Sequence, residues 1–360
     1  MSAAFDPATL VQSWPRPARP RPIVVIGAGG IVRDAHLPAY RKAGFPVAGI
    51  FDIDRGRAEA VARDWGLPRA FGSLAEAAAA RDAVFDLATP PAAHLGVLEA
   101  LPNGATVLLQ KPMGRDLEEA TAILRLCRAK RLRAAVNFQL RFAPMMLALR
   151  DAMGRGLLGR PVDVEVHLNL LTPWHMFPFL KGQPRVEIAV HSIHYLDLIR
   201  SLLGEPSGVH ARTLGHPNSD MAQTRTSAIL DYGPDLRCCL SINHDHGFGG
   251  RFQTATFRLE GDRGAAVVVL GLLLDYPKGR PDELWISAGR DAGWTPVPPA
   301  GAWFPDAFIG RMANLQRAAS GEDEVLHASV EDAWRTMALV EACYRSSAAP
   351  ATPVPSPPQA

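Results

Sequence analysis

Cysteine is scarce in this chain of 360 residues. Cys127, Cys238, Cys239 and Cys343 form no CxxC pair and no Cys/His spacing suited to zinc. They read as reduced thiols of an intracellular protein, with Cys238 and Cys239 as strand filling, rather than as a disulfide framework. Charge of one sign is missing too: 38 Lys and Arg stand against 36 Asp and Glu, a formal net charge of +2. Nucleic-acid binders usually carry a dense basic face, whereas these arginines are scattered among carboxylates, so that class is disfavoured. No apolar run reaches the roughly 18 residues of a membrane span. The opening residues lack both the apolar segment of a signal peptide and a twin-arginine start, so a cytoplasmic protein with no membrane partner is expected. No internal repeat of fixed period is present.

What is there suffices for two cores, since 48% of the residues are hydrophobic and domains usually run to roughly 100 to 200 residues. Ten of the 31 prolines fall in residues 1–22 and 350–360. Their fixed φ and missing N–H favour extended chain, so 1–21 reads as an arm and 347–360 as a disordered tail. From Pro22 to Asn137 strand-like runs alternate with helix-like stretches. That rhythm demands crossover helices and hence a mostly parallel sheet covered on both faces. Beyond Arg141 the rhythm changes. Val162 to Leu170 alternates apolar with polar residues, the period of a strand with one wetted or pocket-facing side. Turn signals at Tyr232-Gly-Pro and Glu260-Gly-Asp suggest antiparallel hairpins. The expected fold is α/β: a doubly wound, Rossmann-type parallel sheet over 22–142, then a second α/β domain over 143–346 with an open, mostly antiparallel sheet. A last helix, 330–345, is expected to pack across both.

Gly27-Ala28-Gly29-Gly30-Ile31-Val32 lies between the first strand and a helix. A dinucleotide requires glycine there, so that the turn is tight and backbone N–H groups approach the pyrophosphate at the helix N-terminus. Val32 stands where Gly or Ala is usual. Asp52 closes the second strand, where a carboxylate can accept the ribose hydroxyls of NAD. An ordinary glycine turn, with Asp52 as a helix cap beside Asp54, is the plainer alternative.

Taken together, several spaced segments resemble the Gfo/Idh/MocA oxidoreductases. They are the glycine turn with His36-Leu-Pro-Ala behind it, Asp52, Ala88-Thr-Pro-Pro-Ala-Ala-His94, Gln110-Lys-Pro-Met-Gly114, Asn137-Phe-Gln-Leu-Arg141 and His194-Tyr-Leu-Asp197 ahead of Leu203-Gly-Glu-Pro206. The resemblance implies NAD as cofactor, with NADP the lesser candidate. Contacts to it are expected from Gly27, Gly29, Gly30 and Ile31, from Asp52, Ile53 and Arg57, and from Thr89, Pro90, His94, Gln110, Lys111 and Gln139. It also implies a homodimer or homotetramer built through the second domain.

Oxidising an alcohol needs a group that takes the hydroxyl proton while the carbon gives up hydride. The family's signature lysine maps onto Lys111, preceded by Gln110 instead of glutamate. The plainer reading of Lys111 is a surface lysine starting a loop. Glu187, His191, His194 and Asp197 follow at helical spacings that put them near one face. With His194 as the family histidine, the family aspartate four residues earlier is replaced by Val190. His194 is expected to be the acid/base, Lys111 to polarise the oxygen, and His191 with Asp197 to orient; a hydrogen-bonded helix patch is the non-catalytic alternative. Substrate contacts are expected from Lys111, Arg141, Trp174, His175, Arg185, His191, His194 and His244. One helix does not supply the converging ligands zinc requires, so no metal is expected. These expectations describe a dehydrogenase of a sugar, sugar derivative or cyclitol. A redox-neutral sugar-modifying enzyme with retained NAD and a non-catalytic NAD sensor are the rivals.

Overall fold

The computed structural model describes residues 5–355. Short aliphatic runs at Ile23–Ile26 (β1), Val47–Phe51 (β2), Val84–Leu87 (β3), Thr106–Leu109 (β4) and Arg133–Val136 (β5) make a parallel sheet in the order β2-β1-β3-β4-β5. Helices cover both faces, so β1, β3 and β4 are buried at every position. The crossovers carry Leu37–Ala43 (α1), Arg55–Trp65 (α2), Leu74–Ala78 (α3), His94–Ala100 (α4) and Leu117–Ala129 (α5). Local chemistry sets their ends: Asp54 and Asp116 cap α2 and α5 through the N–H groups of Arg57 and Glu119. Gly66, at φ +64, closes α2 in the left-handed conformation.

After Pro144–Gly154 (α6) the chain builds an eight-stranded sheet. Its strands are Pro161–Asn169 (β6), then, beyond helix Ile193–Leu203 (α7), Gly208–Leu214 (β7), Arg225–Asp231 (β8), Arg237–Asn243 (β9), Thr254–Gly261 (β10), Ala265–Val269 (β11), Glu283–Ser287 (β12) and Thr295–Pro296 (β13). The order is β13-β12-β11-β10-β6-β9-β8-β7, with β6 and β9 parallel and every other pair antiparallel. The two expected hairpins are β8–β9 and β10–β11. Register aligns Phe257, Val166, Leu240 and Ala228 as one buried row across four strands. The adjacent row, Thr256, His167, Ser241 and Ser227, lies on the opposite face. On that outer face Ile229, Leu214 and Trp285 stay exposed.

Two of the departures from the sequence expectations concern the C-terminal helices. Helix Asp306–Ser320 (α8) was not anticipated; its Phe308, Met312 and Leu315 pack with Ile23, Val25 and Leu108 of the first sheet. The last helix, Val330–Ala348 (α9), runs past 345 into the expected tail and contacts α5, α7, β5 and β7. Residues 1–4 of the arm and 356–360 of the tail lie outside the described residues. The rest of the arm is strapped down: Trp14 donates to Asp323, Val11 N–H to Asp151, and the Arg21 guanidinium to the carbonyls of Asp82 and Ala83.

Candidate active site

A cleft of about 2240 Å³ runs from the carboxyl ends of β1–β4 to the mixed sheet. A single drug-sized ligand needs roughly 300–1,000 Å³, so there is room for a dinucleotide and a substrate. At its first end Gly27 has φ +109, and a Cβ there would lie 2.4 Å from the Ala88 carbonyl oxygen. Above Gly29 the space is open, leaving bare backbone at the start of a helix. That cradle fits a pyrophosphate. Val32 is fully buried, and the helix opens there with a π turn, Val32–His36, one residue wider per turn than α. Asp52 stands beside the loop. Its Oδ2 accepts from the Ala28 N–H at 2.7 Å and its Oδ1 from the Asp54 N–H at 2.9 Å, which fixes the carboxylate for ribose hydroxyls. Ile53, Arg57, Thr89, Pro90 and Gln139 also line the cleft. His94 does not: it is buried and bonds the carbonyls of Met113 and Thr89, so it holds the loops instead of the cofactor.

Gln110 joins this end to the centre. Its Oε1 accepts from the Lys111 N–H, and its Nε2 lies 3.3 Å from His36 Nε2, while His36 Nδ1 is 2.6 Å from Asp86. A histidine donating from Nδ1 to Asp86 has an acceptor at Nε2, which an amide donor satisfies and a glutamate would not. The amide at 110 is thus matched to its neighbour.

Lys111, Val190, His191, His194 and His244 meet in the centre of the cleft. Lys111 Nζ donates to the Val190 carbonyl at 2.9 Å, and burial lowers its pKa from 10.5 to about 8. Burial likewise pushes His194 well below its usual value, helped by Lys111; for His191 burial leads, followed by His244, Lys111 and His194. Both rings are therefore neutral near pH 7 and available to accept protons. Buried His194 Nδ1 and His191 Nε2 have no protein partner.

The single shared face expected for Glu187, His191, His194 and Asp197 is corrected. Glu187–Ser192 forms a π turn ahead of α7, and its wider winding changes the register. His191 and His194 face the cleft; Glu187 is fully buried behind it. Asp197 points into the core, paired with Arg141 at 2.5 and 2.6 Å and accepting from Thr336. Arg141 is held there and by Asp332, so neither residue reaches a ligand. His175 lies exposed outside the cleft. Trp174 stands behind the histidines, edge-on to His191 with ring centroids 5.5 Å apart, its Nε1 donating to Asp245. Arg185 lines the cleft but is paired with Glu341 and stacked on Tyr344. The aromatic wall comes instead from Trp303, whose ring is edge-on to His194 with centroids 6.2 Å apart, with Phe304 and Phe308. Trp303 and Thr172 were missed because both sit in irregular loops without periodicity. Among the described residues no three His, Cys, Asp or Glu side chains are placed to hold a metal ion, and no helix is long and apolar enough to cross a membrane.

A dinucleotide cradle opening onto a lysine and neutral histidines defines a nucleotide-dependent oxidoreductase. The chain belongs to the Gfo/Idh/MocA oxidoreductases, whose NAD-binding Rossmann-fold profile matches residues 21–138. It is 30% identical to an uncharacterized oxidoreductase of Synechocystis, over 82% of this chain and 84% of that protein. It is 27% identical to a D-apiose dehydrogenase of Paraburkholderia graminis, over 90% and 86% respectively. A solved oxidoreductase from Agrobacterium radiobacter, in complex with NAD+, L-tartaric acid and magnesium, has the same fold: TM-score 0.75, 22% identity, 92% of this chain and 97% of that one.

Proposed function

We propose that this protein is an NAD-dependent dehydrogenase moving hydride between a hydroxyl-bearing carbon of a sugar, sugar derivative or cyclitol and the nicotinamide. The observation that carries this reading is the pairing of Lys111, its pKa lowered to about 8, with His194, pushed well below its usual range, in one cleft with the glycine cradle. Bound NAD supplies the hydride acceptor. His194 takes the hydroxyl proton, for which its buried, unpartnered Nδ1 equips it. Lys111 polarises the same oxygen, and the Val190 carbonyl aims the Nζ. Trp303 and Phe304 wall the site and limit water.

Asp52 favours NAD over NADP, because a 2′-phosphate would meet its charge. The dehydrogenase relative and the hydroxyl-rich chemistry it names support a sugar or polyol substrate. A homodimer or homotetramer formed through the bare outer face of the mixed sheet, in the cytoplasm, completes the proposal. Nucleotide analysis of the purified protein, followed by absorbance at 340 nm across a polyol panel, tests it. Net NADH formation supports a dehydrogenase. Sugar turnover with retained NAD and no net NADH assigns the redox-neutral rival, and binding without turnover the sensor.

A further inference from the structure

The cluster behind the cleft contains a carboxylate that the proposed chemistry does not use. Glu187 is fully buried; its Oε1 accepts from Ser192 Oγ at 2.7 Å and stands 3.5 Å from His244 Nε2 without a hydrogen bond between them, and both Glu187 Oε2 and His244 Nε2 have no partner. His244 Nδ1 lies 2.8 Å from Thr172 Oγ1. Thr172 and His244 are also tied through the main chain, Thr172 N–H donating to the His244 carbonyl at 2.9 Å. His244 N–H is held in turn by the Thr224 carbonyl, and Trp174 clamps the neighbouring Asp245. Both Thr172 and His244 line the cleft, whereas Glu187 does not.

We infer that Thr172, His244 and Glu187 form a second hydroxyl-binding station in the cleft wall, distinct from the Lys111–His194 pair, which accepts a hydrogen bond from another hydroxyl of the substrate. The polarity follows from the carboxylate. A lone pair on His244 Nε2 would oppose the oxygens of Glu187 in a buried setting, so the proton sits on Nε2. In the neutral ring Nδ1 is then an acceptor, and the Thr172 hydroxyl donates to it. With its only proton committed, Thr172 Oγ1 offers lone pairs to the cleft and takes a ligand that donates. Glu187 is thus a positioning residue: its charge 3.5 Å away sets the tautomer of the ring, and the ring orients the hydroxyl. The buried carboxylate missing at Val190 stands three residues earlier, acting through His244. Reading the ligand as a polyol rests on the dehydrogenase proposal; the direction of the hydrogen bonds does not.

The first experiment therefore needs neither cofactor nor substrate. Nitrogen-15 spectra of histidine-labelled protein, with the His244 signal assigned by its loss in His244→Asn, should show the Nε2–H tautomer in the native chain and a mixed tautomer in Glu187→Gln. An Nδ1–H or doubly protonated His244 in the native protein at pH 7 to 8, or no change in Glu187→Gln, overturns the station. Should Glu187→Gln fail to fold, Thr172→Val provides the second arm, since loss of the threonine donor should move the Nδ1 shift. With whichever polyol the panel identifies, Thr172→Val should raise KM roughly tenfold with a smaller change in kcat, the scale of one lost hydrogen bond. Thr172→Ser should restore KM. An unchanged KM in Thr172→Val overturns the hydroxyl role. If no polyol turns over but the tautomer result stands, the dehydrogenase reading has failed and the polarised station has not.

Discussion

The Lys111 ammonium donates to the main-chain carbonyl of Val190, at 2.9 Å. A carbonyl satisfies the hydrogen bond but brings no full negative charge, so burial prevails and the lysine pKa falls to about 8. Protonated lysine dominates below that value and neutral amine above it. Because Lys111 polarises the substrate oxygen as the ammonium, kcat/KM for oxidation should fall as pH rises through a limb near 8. Val190→Asp would set a carboxylate beside the ammonium, stabilise its charge and move the limb upward by about a unit or more. A pH–rate profile of both proteins checks this; a limb that stays in place excludes Lys111 as its origin.

The acid/base assignment is tested by deletion. His194→Ala should lower kcat by roughly 10²- to 10⁴-fold, the usual contribution of a general acid/base group, while NAD affinity stays close to native. Lys111→Ala should behave similarly. His191 sits against His244, with ring centroids 4.4 Å apart, and its pKa is lowered first by burial and then by His244, Lys111 and His194. If it works with His194 as a unit, the double variant should be barely worse than His194→Ala. Additive losses would give His191 a separate task, and near-normal turnover in His194→Ala would remove His194 from the mechanism.

Cofactor choice should follow Asp52. With one oxygen bound to the Ala28 N–H and the other to the Asp54 N–H, the carboxylate is held at the cradle rim, and Arg57 comes within 3.9 Å. We expect kcat/KM to favour NAD over NADP by at least about tenfold, equivalent to roughly 1.4 kcal/mol, and Asp52→Ala to shrink that ratio. Direct fluorescence titration with both reduced dinucleotides provides the binding counterpart. A native preference for NADP would mean that Arg57 outweighs the carboxylate.

The outer face of the mixed sheet supplies the next test. Ile229, Leu214 and Trp285 project from β8, β7 and β12 with relative exposures of 54%, 47% and 36%. Apolar residues spread over a sheet face are commonly buried by symmetric pairing. Light scattering at micromolar concentration should report a dimer or tetramer, and Ile229→Lys should shift it toward monomer. A stable native monomer refutes the assembly.

The parallel sheet was legible because its strands are short, mostly apolar runs separated by helix-like stretches, and the glycine turn and Asp52 sit at strand ends where spacing alone locates them. The candidate site was legible in part. Lys111, His191, His194 and His244 converge as expected, but spacing cannot reveal a π turn, and the widened winding at Glu187–Ser192 separated side chains that an α-helix would have aligned. Sequence adjacency could not show that α8, about 280 residues on, packs against β1. Nor could it show that Trp303, and not the expected Trp174, would line the cleft, since both occupy irregular loops whose path is set by tertiary contacts.

Asp197 gives the sharpest contrast between sequence resemblance and structure. It is expected near the chemistry, yet its two oxygens grip the Arg141 guanidinium in the core, Thr336 donates to it, and Asp332 holds the other end of Arg141. Asp197 is 1% exposed and Arg141 4%. Removing one member of such a pair leaves its partner buried and uncompensated, at a typical cost of about 3–5 kcal/mol. Asp197→Ala should therefore lower the melting temperature strongly, whereas at a temperature where it remains folded its KM and NAD affinity should match the native protein. Asp197→Asn, which keeps the shape and one acceptor, should lose less. Calorimetry beside steady-state kinetics separates the roles: a variant that melts normally but turns over poorly would return Asp197 to the catalytic machinery, while an early-melting, fully active one fixes it as the joint between α7, the Arg141 loop and α9.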